Sequence, residues 1–115
     1  MSITIRTLSG FDKSVKQLSK KYCSLSDDLK QLKSELLTNP LLGTDLGQGL
    51  RKIRMAITSK NKGKSHGARV ISHIAIVSVN DAAVTLLDIY IKSKKDTISD
   101  IELASLITKM YQELS

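Results

Sequence analysis

Lysine and arginine are the residues of this chain whose types and placement could do chemistry. Between Asp45 and Asp81 there is no acidic residue, yet the span carries Arg51, Lys52, Arg54, Lys60, Lys62, Lys64 and Arg69. An acid-free basic block attracts a polyanion through Coulomb forces and counterion release. The bland alternative is a solvated basic surface kept for solubility. Two stretches set cations at strand spacing. Ile53, Met55 and Ile57 alternate with Lys52, Arg54, Ala56 and Thr58, and Leu87, Ile89 and Ile91 alternate with Asp88, Tyr90 and Lys92. Successive strand side chains point to opposite faces, so if the apolar sets face a core, Lys52, Arg54, Tyr90 and Lys92 gather on the other side. Arg69 opens the strand between them and the basic loop 60–64 adjoins it. The expectation is a cationic floor on a sheet surface that no remaining element covers.

In-line attack on a phosphodiester needs charge stabilisation at phosphorus, help deprotonating the nucleophile and help protonating the leaving oxygen. Lysine and arginine stabilise the charged transition state, and a lysine held among other cations has its pKa pushed down far enough to transfer protons. In RNA the ribose 2′-OH serves as nucleophile, so neither a metal nor an enzyme nucleophile is required. The acidic residues form no metal-binding cluster in the sequence, which argues against a two-metal nuclease. One cysteine, Cys23, and two histidines exclude the structural zinc patterns. No cofactor is expected. The aromatics are Phe11, Tyr22, Tyr90 and Tyr111, too few for a base-stacking platform.

The elements that must position these cations follow from periodicity. Residues 2–6 alternate as a short strand. Ser9 precedes Asp12 as a helix start, and Phe11, Val15, Leu18 and Tyr22 form one apolar stripe. A second helix, opened by Ser24 or Ser26, carries Leu25, Leu29, Leu32 and Leu36 and stops at Asn39-Pro40. The short link predicts an antiparallel helical hairpin lying on a sheet. Residues 41–49, with three glycines, read as a loop. Strands follow from residue 50, over 68–79 and over 84–92, with a polar loop at 59–67 and a turn at Asn80-Asp81. Ser99 and Glu102 match the S-x-x-E capping box, with Ile98 and Leu103 as its hydrophobic staple. Leu103, Leu106, Ile107, Met110 and Leu114 give that last helix its buried stripe. The expected fold is α+β in the order β-α-α-β-β-β-α, a small antiparallel sheet flanked by an N-terminal helical hairpin and a C-terminal helix.

The chain has 115 residues, with 18 Lys+Arg against 11 Asp+Glu and a formal net charge of +7. That length suits a single domain over 1–115, and 41% hydrophobic residues are too many for a disordered tail. No apolar run approaches the ~18 residues of a membrane span. The first eight residues lack the apolar region of a signal peptide. A lone cysteine suits a reducing cytoplasm.

Three stretches carry a family resemblance. "RKIRMAIT" (51–58) runs into "SKNKGKSHGARVI" (59–71) and later "LLDIYIKSKKDTIS" (86–99), with "FDKSVKQLSKKY" and "NPLLGTDLGQGLRKIR" upstream. In this order and spacing the chain resembles the RelE/HigB-type toxins of bacterial type II toxin–antitoxin modules over nearly its whole length. The resemblance implies a RelE-like fold and a ribosome-dependent endoribonuclease (an mRNA interferase) that cuts messenger RNA in the A site. It further implies a cognate antitoxin protein, the ribosome with its rRNA, and mRNA as partners, in the cytoplasm. Carried onto matching positions, Lys52 and Arg54 hold phosphate or backbone, and Arg69 stabilises the transition state. Lys92, with Lys64 as second candidate, transfers a proton or binds phosphate. Arg54, Lys64, Arg69 and Lys92 thus form the implied catalytic set. Lys52, Lys60, Lys62, His66, Tyr90, Lys94 and Lys95 form the implied RNA-binding set. Tyr90 stacks on a base or packs in the sheet; Lys94 and Lys95 contact ribosomal RNA or lie in an exposed loop. His66-Gly67 stands where the family shows Gly-Gly, so that loop must accept a Cβ, and His66 is an acid–base or phosphate contact or simply exposed. The other class the sequence leaves open is a ParE-like toxin that inhibits DNA gyrase without cleaving anything. A third is an inactive relative that binds antitoxin or nucleic acid.

Overall fold

The computed structural model describes residues 2–61, 63–95 and 97–114. Strand β1 (Ser2–Thr7) leads into helices α1 (Ser9–Ser19) and α2 (Leu25–Thr38). Then come β2 (Thr44–Gly47), β3 (Leu50–Met55), β4 (Ala68–Ser78), β5 (Asp81–Ile91) and helix α3 (Asp100–Leu114). The class is α+β, with five strands in the order β1-β5-β4-β3-β2. Strands β2, β3, β4 and β5 pair antiparallel with one another in that order. The sheet is mixed rather than wholly antiparallel, because β1 pairs parallel to β5, with Ile3 against Ala82 and Ile5 against Val84. Two-residue turns dictate the directions of β2 against β3 and of β4 against β5; no turn joins β1 to β5, so their relative direction is a tertiary choice.

Part of the glycine-rich 41–49 segment is strand, not loop. Gly47 pairs with Leu50, and the two residues between them, Gln48 and Gly49, both hold positive φ (55° and 80°). Two successive residues at positive φ are what a two-residue hairpin turn of type I′ requires. The glycine content therefore makes a hairpin that adds β2 to the sheet edge.

The hairpin α1–α2 covers one face. Phe11, Leu25, Leu29, Leu32 and Leu36 pack there against Ile53, Met55, Ile57, Val70, Val84, Leu86, Ile89 and Ile91. Ser9 does not cap α1; the cap position is Leu8, and the Ser9 hydroxyl donates to the Glu113 carboxylate instead. The Ser24 hydroxyl donates to Asp28 Oδ2 at 2.8 Å. Asp28 also accepts the Thr58 amide at 3.0 Å, which ties α2 to the turn after β3.

Helix α3 covers the other face. Its Leu103 and Met110, with Leu106 and Ile107 partly buried, pack with Ile98 on Leu8, Leu50, Ile71, Leu87 and Tyr90. The capping box forms, with Glu102 N donating to Ser99 Oγ at 3.2 Å and Ser99 N to Glu102 Oε1 at 3.1 Å. Leu114 is 41% exposed and falls outside the buried stripe. Leu87 lies beneath α3, away from Ile89 and Ile91. The pairing jumps from Ile71↔Asp88 to Ser72↔Leu86, leaving Leu87 as an extra residue. Such a β-bulge reverses the alternation, so Leu87 and Asp88 share the α3 face.

Candidate functional site

The bulge lies on the β1 side of the cations and leaves their alternation intact. Arg54 pairs with Arg69, and Arg69 with Tyr90, so the three stand abreast across β3, β4 and β5. With strands about 4.8 Å apart, this row spans ~10 Å. One step along the strands Lys52 pairs with Ile71 and Ile71 with Asp88. Lys92 follows β5 directly, and its amide donates to the Gly67 carbonyl at 3.0 Å. The Lys64 carbonyl accepts from Arg69 Nη1 at 2.9 Å, which anchors the 64–66 turn to the row. Arg54, Lys64, Arg69, Tyr90 and Lys92 therefore meet at one end of the sheet, with Lys52 beside them.

The floor is not uncovered, as alternation alone suggested. Tyr90 is buried in the α3 cluster, and Lys95 Nζ lies 5.2 Å from its ring centroid while forming an ion pair with Glu102. The ring packs under α3 and its tethering lysine, in the packing role rather than as an open stacking surface. Arg69 is only 4% exposed, with a second bond from Nη1 to the Ala68 carbonyl at 3.2 Å. Burial first, and then the neighbouring Arg54, hold the Arg69 guanidinium below its ordinary pKa; Tyr90 acts in the opposite sense. Two cations directly opposite on adjacent strands repel, so Arg54 and Arg69 each make the other's charge costlier to hold. Arg54 and Lys64 are exposed, and Lys52 and Lys92 are half-buried.

Other sequence-nominated residues go elsewhere. Lys60 does not adjoin the floor. Its Nζ lies 5.5 Å from the centroid of Tyr22, which belongs to the hairpin core. The reason is the short turn Thr58–Lys60, which is bonded to Ser24 and Asp28 and directs the chain toward α2. Lys62 lies outside the described residues. Lys94 is exposed in the turn after β5, and Lys95 is engaged by Glu102. His66 is exposed on the Lys64–His66 turn, so a side chain is accommodated there. The demanding glycine is Gly67, where a Cβ would sit 2.1 Å from the Met55 carbonyl oxygen. His73 shares the Arg69 face but pairs with Leu50 and Thr85 at the far end, beside Met110 and Tyr111.

Two acidic groups at this end escaped the sequence reasoning. Asp88 is half-buried under α3, and desolvation raises its carboxyl pKa against the opposing pull of the Ile89 amide and Lys95. Its place on the cationic face was legible from alternation. Glu35, on α2, lines a groove with Lys52, Arg54 and Lys64. Nothing in local sequence connects α2 to the edge of β3, so only the fold brings it there. Among the described residues no group of three or more His, Cys, Asp and Glu side chains converges to hold a metal. No protein-family model matches this chain, and no curated protein matches it.

Proposed function

We propose that the chain is the toxin of a type II toxin–antitoxin pair, a ribosome-dependent endoribonuclease acting on mRNA without metal. The observation that carries this proposal is the cross-strand pair Arg54↔Arg69, with Lys64 bonded to Arg69 and Lys92 beside it. Such a cluster is poised for the negative charge that grows on a phosphoryl group in flight, because its dipoles and charges are set before substrate arrives. The ribose 2′-OH gives up its proton to water as its oxygen attacks the adjacent phosphorus in line, the 5′-oxygen leaves, and a 2′,3′-cyclic phosphate and a 5′-hydroxyl remain. Arg54 and Lys64 contact the non-bridging oxygens, and Lys92 or Lys52 delivers the proton to the leaving oxygen. Arg69 is the positioning residue: it fixes the Lys64 turn and adds its field from behind. The ribosome supplies the in-line geometry, so naked RNA is a poor substrate.

The test maps 5′ ends of messages after induction of the chain alone. In-frame cuts in translated regions support the proposal; intact messages with trapped gyrase complexes replace it with the ParE-like alternative. Arg54→Ala should lower the rate on programmed ribosomes by about 10²-fold, the usual cost of one charge-stabilising donor. Its melting temperature should hold or rise, since the repulsion of Arg69 is relieved. An Arg54→Ala protein that cleaves at the normal rate would remove the cation pair from the chemistry.

A further inference from the structure

Strand β2 pairs with β3 only as far as Lys52, so the β3 edge beyond it borders an open groove roofed by α2. One part, of about 250 Å³, is lined by Glu35, Leu42, Gly43, Thr44, Lys52, Ile53, Arg54 and Lys64. A smaller continuation shares Glu35, Arg54 and Lys64. The size falls below the ~300 Å³ at which pockets for drug-sized ligands begin, and suits a single base or nucleotide. Leu42 and Ile53 give the groove apolar walls, while the charged groups sit along its length.

Two acids of α2 border this space and differ sharply. Asp28 is satisfied by the Ser24 hydroxyl and by the amide and hydroxyl of Thr58. The Glu35 carboxylate, two turns on, accepts no hydrogen bond among the described residues. Nor do the side chains of Lys52, Arg54 and Lys64 donate one there. A half-buried carboxylate thus faces three cations across a slot without closing an ion pair with any of them. The complementary ligand carries an anion for the cations, a flat apolar body, and N–H donors for the carboxylate. A nucleotide has all three, and guanine alone among the RNA bases offers two adjacent donors, N1–H and N2–H, on its Watson–Crick edge. Single-stranded RNA is commonly read on that edge.

We infer that this groove is a base-reading subsite in which Glu35 accepts the Watson–Crick edge of a guanine while Arg54 and Lys64 hold its phosphate. The inference deepens the proposed ribonuclease, giving Glu35 the role of specificity determinant next to the reacting phosphate.

The experiment titrates the isolated full-length chain with 5′-GMP, 5′-AMP, 5′-CMP and 5′-UMP, following backbone amides of Gly43, Thr44 and Arg54 by NMR. GMP should bind about tenfold more tightly than UMP, in line with the discrimination of one two-point contact to a base. Glu35→Ala and the shape-preserving Glu35→Gln should both erase that preference and leave residual phosphate-driven binding. Arg54→Ala should weaken all four nucleotides alike. Equal affinities for the four, shifts remote from the groove, or a guanine preference that survives both Glu35 substitutions would each overturn the subsite. The parent proposal is separable. If translated messages stay intact while the Glu35-dependent preference persists, the ribonuclease falls and the subsite stands. If messages are cut but the four nucleotides bind alike, the subsite falls and the ribonuclease stands.

Discussion

The two faces of the sheet are built to different standards. Against the α1–α2 hairpin, Leu25, Leu36, Val70, Val84 and Leu86 reach zero exposure, and Asp28 bolts the hairpin to the turn after β3. Against α3 the fully buried set is smaller; Leu106 and Ile107 are half-buried, and Ile101 and Tyr111 are exposed at 83% and 64%. Polar ties at the two ends of α3, Lys95 to Glu102 and Ser9 to Glu113, supplement that thin apolar seam. One face is therefore a folding core. The other has enough slack between cover and sheet to seat a cation row and a half-buried aspartate.

The most severe way to probe this contrast is to truncate one leucine on each face. Leu36→Ala removes a side chain with no exposure and should cost 2–5 kcal/mol, the range for buried leucines. Leu106→Ala, from a half-buried position, should cost less than half as much. Urea melts of both variants measure the difference. Equal losses would mean that α3 is as integral to the core as the hairpin.

The same contrast explains what was legible in the sequence. The hairpin stripes, the capping box and the strand status of β3 to β5 are local patterns, and each fold element they name is present. The bulge at Leu87, the parallel pairing of β1 and the roof over Tyr90 depend on contacts distant in sequence, which periodicity does not encode. Arg54, Arg69 and Tyr90 come abreast because the bulge falls at Leu87; placed three residues later, it would have turned Lys92 to the other face. The burial of Arg69 was hidden for a related reason, since alternation gives a side chain's face and not what lies over it. Glu35 was invisible because helix α2 and the β3 edge meet only in three dimensions.

A second probe works at the join between the two faces. Gly67 lies where β4 begins, and a Cβ there would meet the Met55 carbonyl at 2.1 Å and the Ala56 Cα at 3.0 Å. Backbone atoms cannot swing aside as a flexible side chain can. Gly67→Ala should destabilise by about 1–3 kcal/mol, the range for overpacking. It should also accelerate hydrogen exchange at the Lys92 amide, which is bonded to the Gly67 carbonyl. His66→Gly, one residue away on an exposed turn, should change stability by less than about 1 kcal/mol. Reversal of that order would mean that the turn preceding β4, and not its close approach to β3, sets the geometry of the cation row.

The smallest expected effect concerns Asp88, whose carboxyl pKa is raised chiefly by desolvation. A carboxyl with a folded pKa above its unfolded value binds its proton more tightly when folded. Its contribution to stability is fully present below the unfolded value, about 3.9 for aspartate, and is lost as pH rises through the folded one. Ionising Asp88 in the folded state is thus a net cost, despite the attraction of Lys95 and Lys109. Asp88→Asn, which keeps the shape and discards the charge, should raise the melting temperature slightly at pH 7, with the gain shrinking to nothing on acidification below pH ~3.9. Thermal melts across that range read the sign directly. A variant less stable than the parent at pH 7 would show that Asp88 holds α3 by its ion pairs, making the thin side of the molecule electrostatically fastened and its cover over Tyr90 correspondingly sensitive to salt.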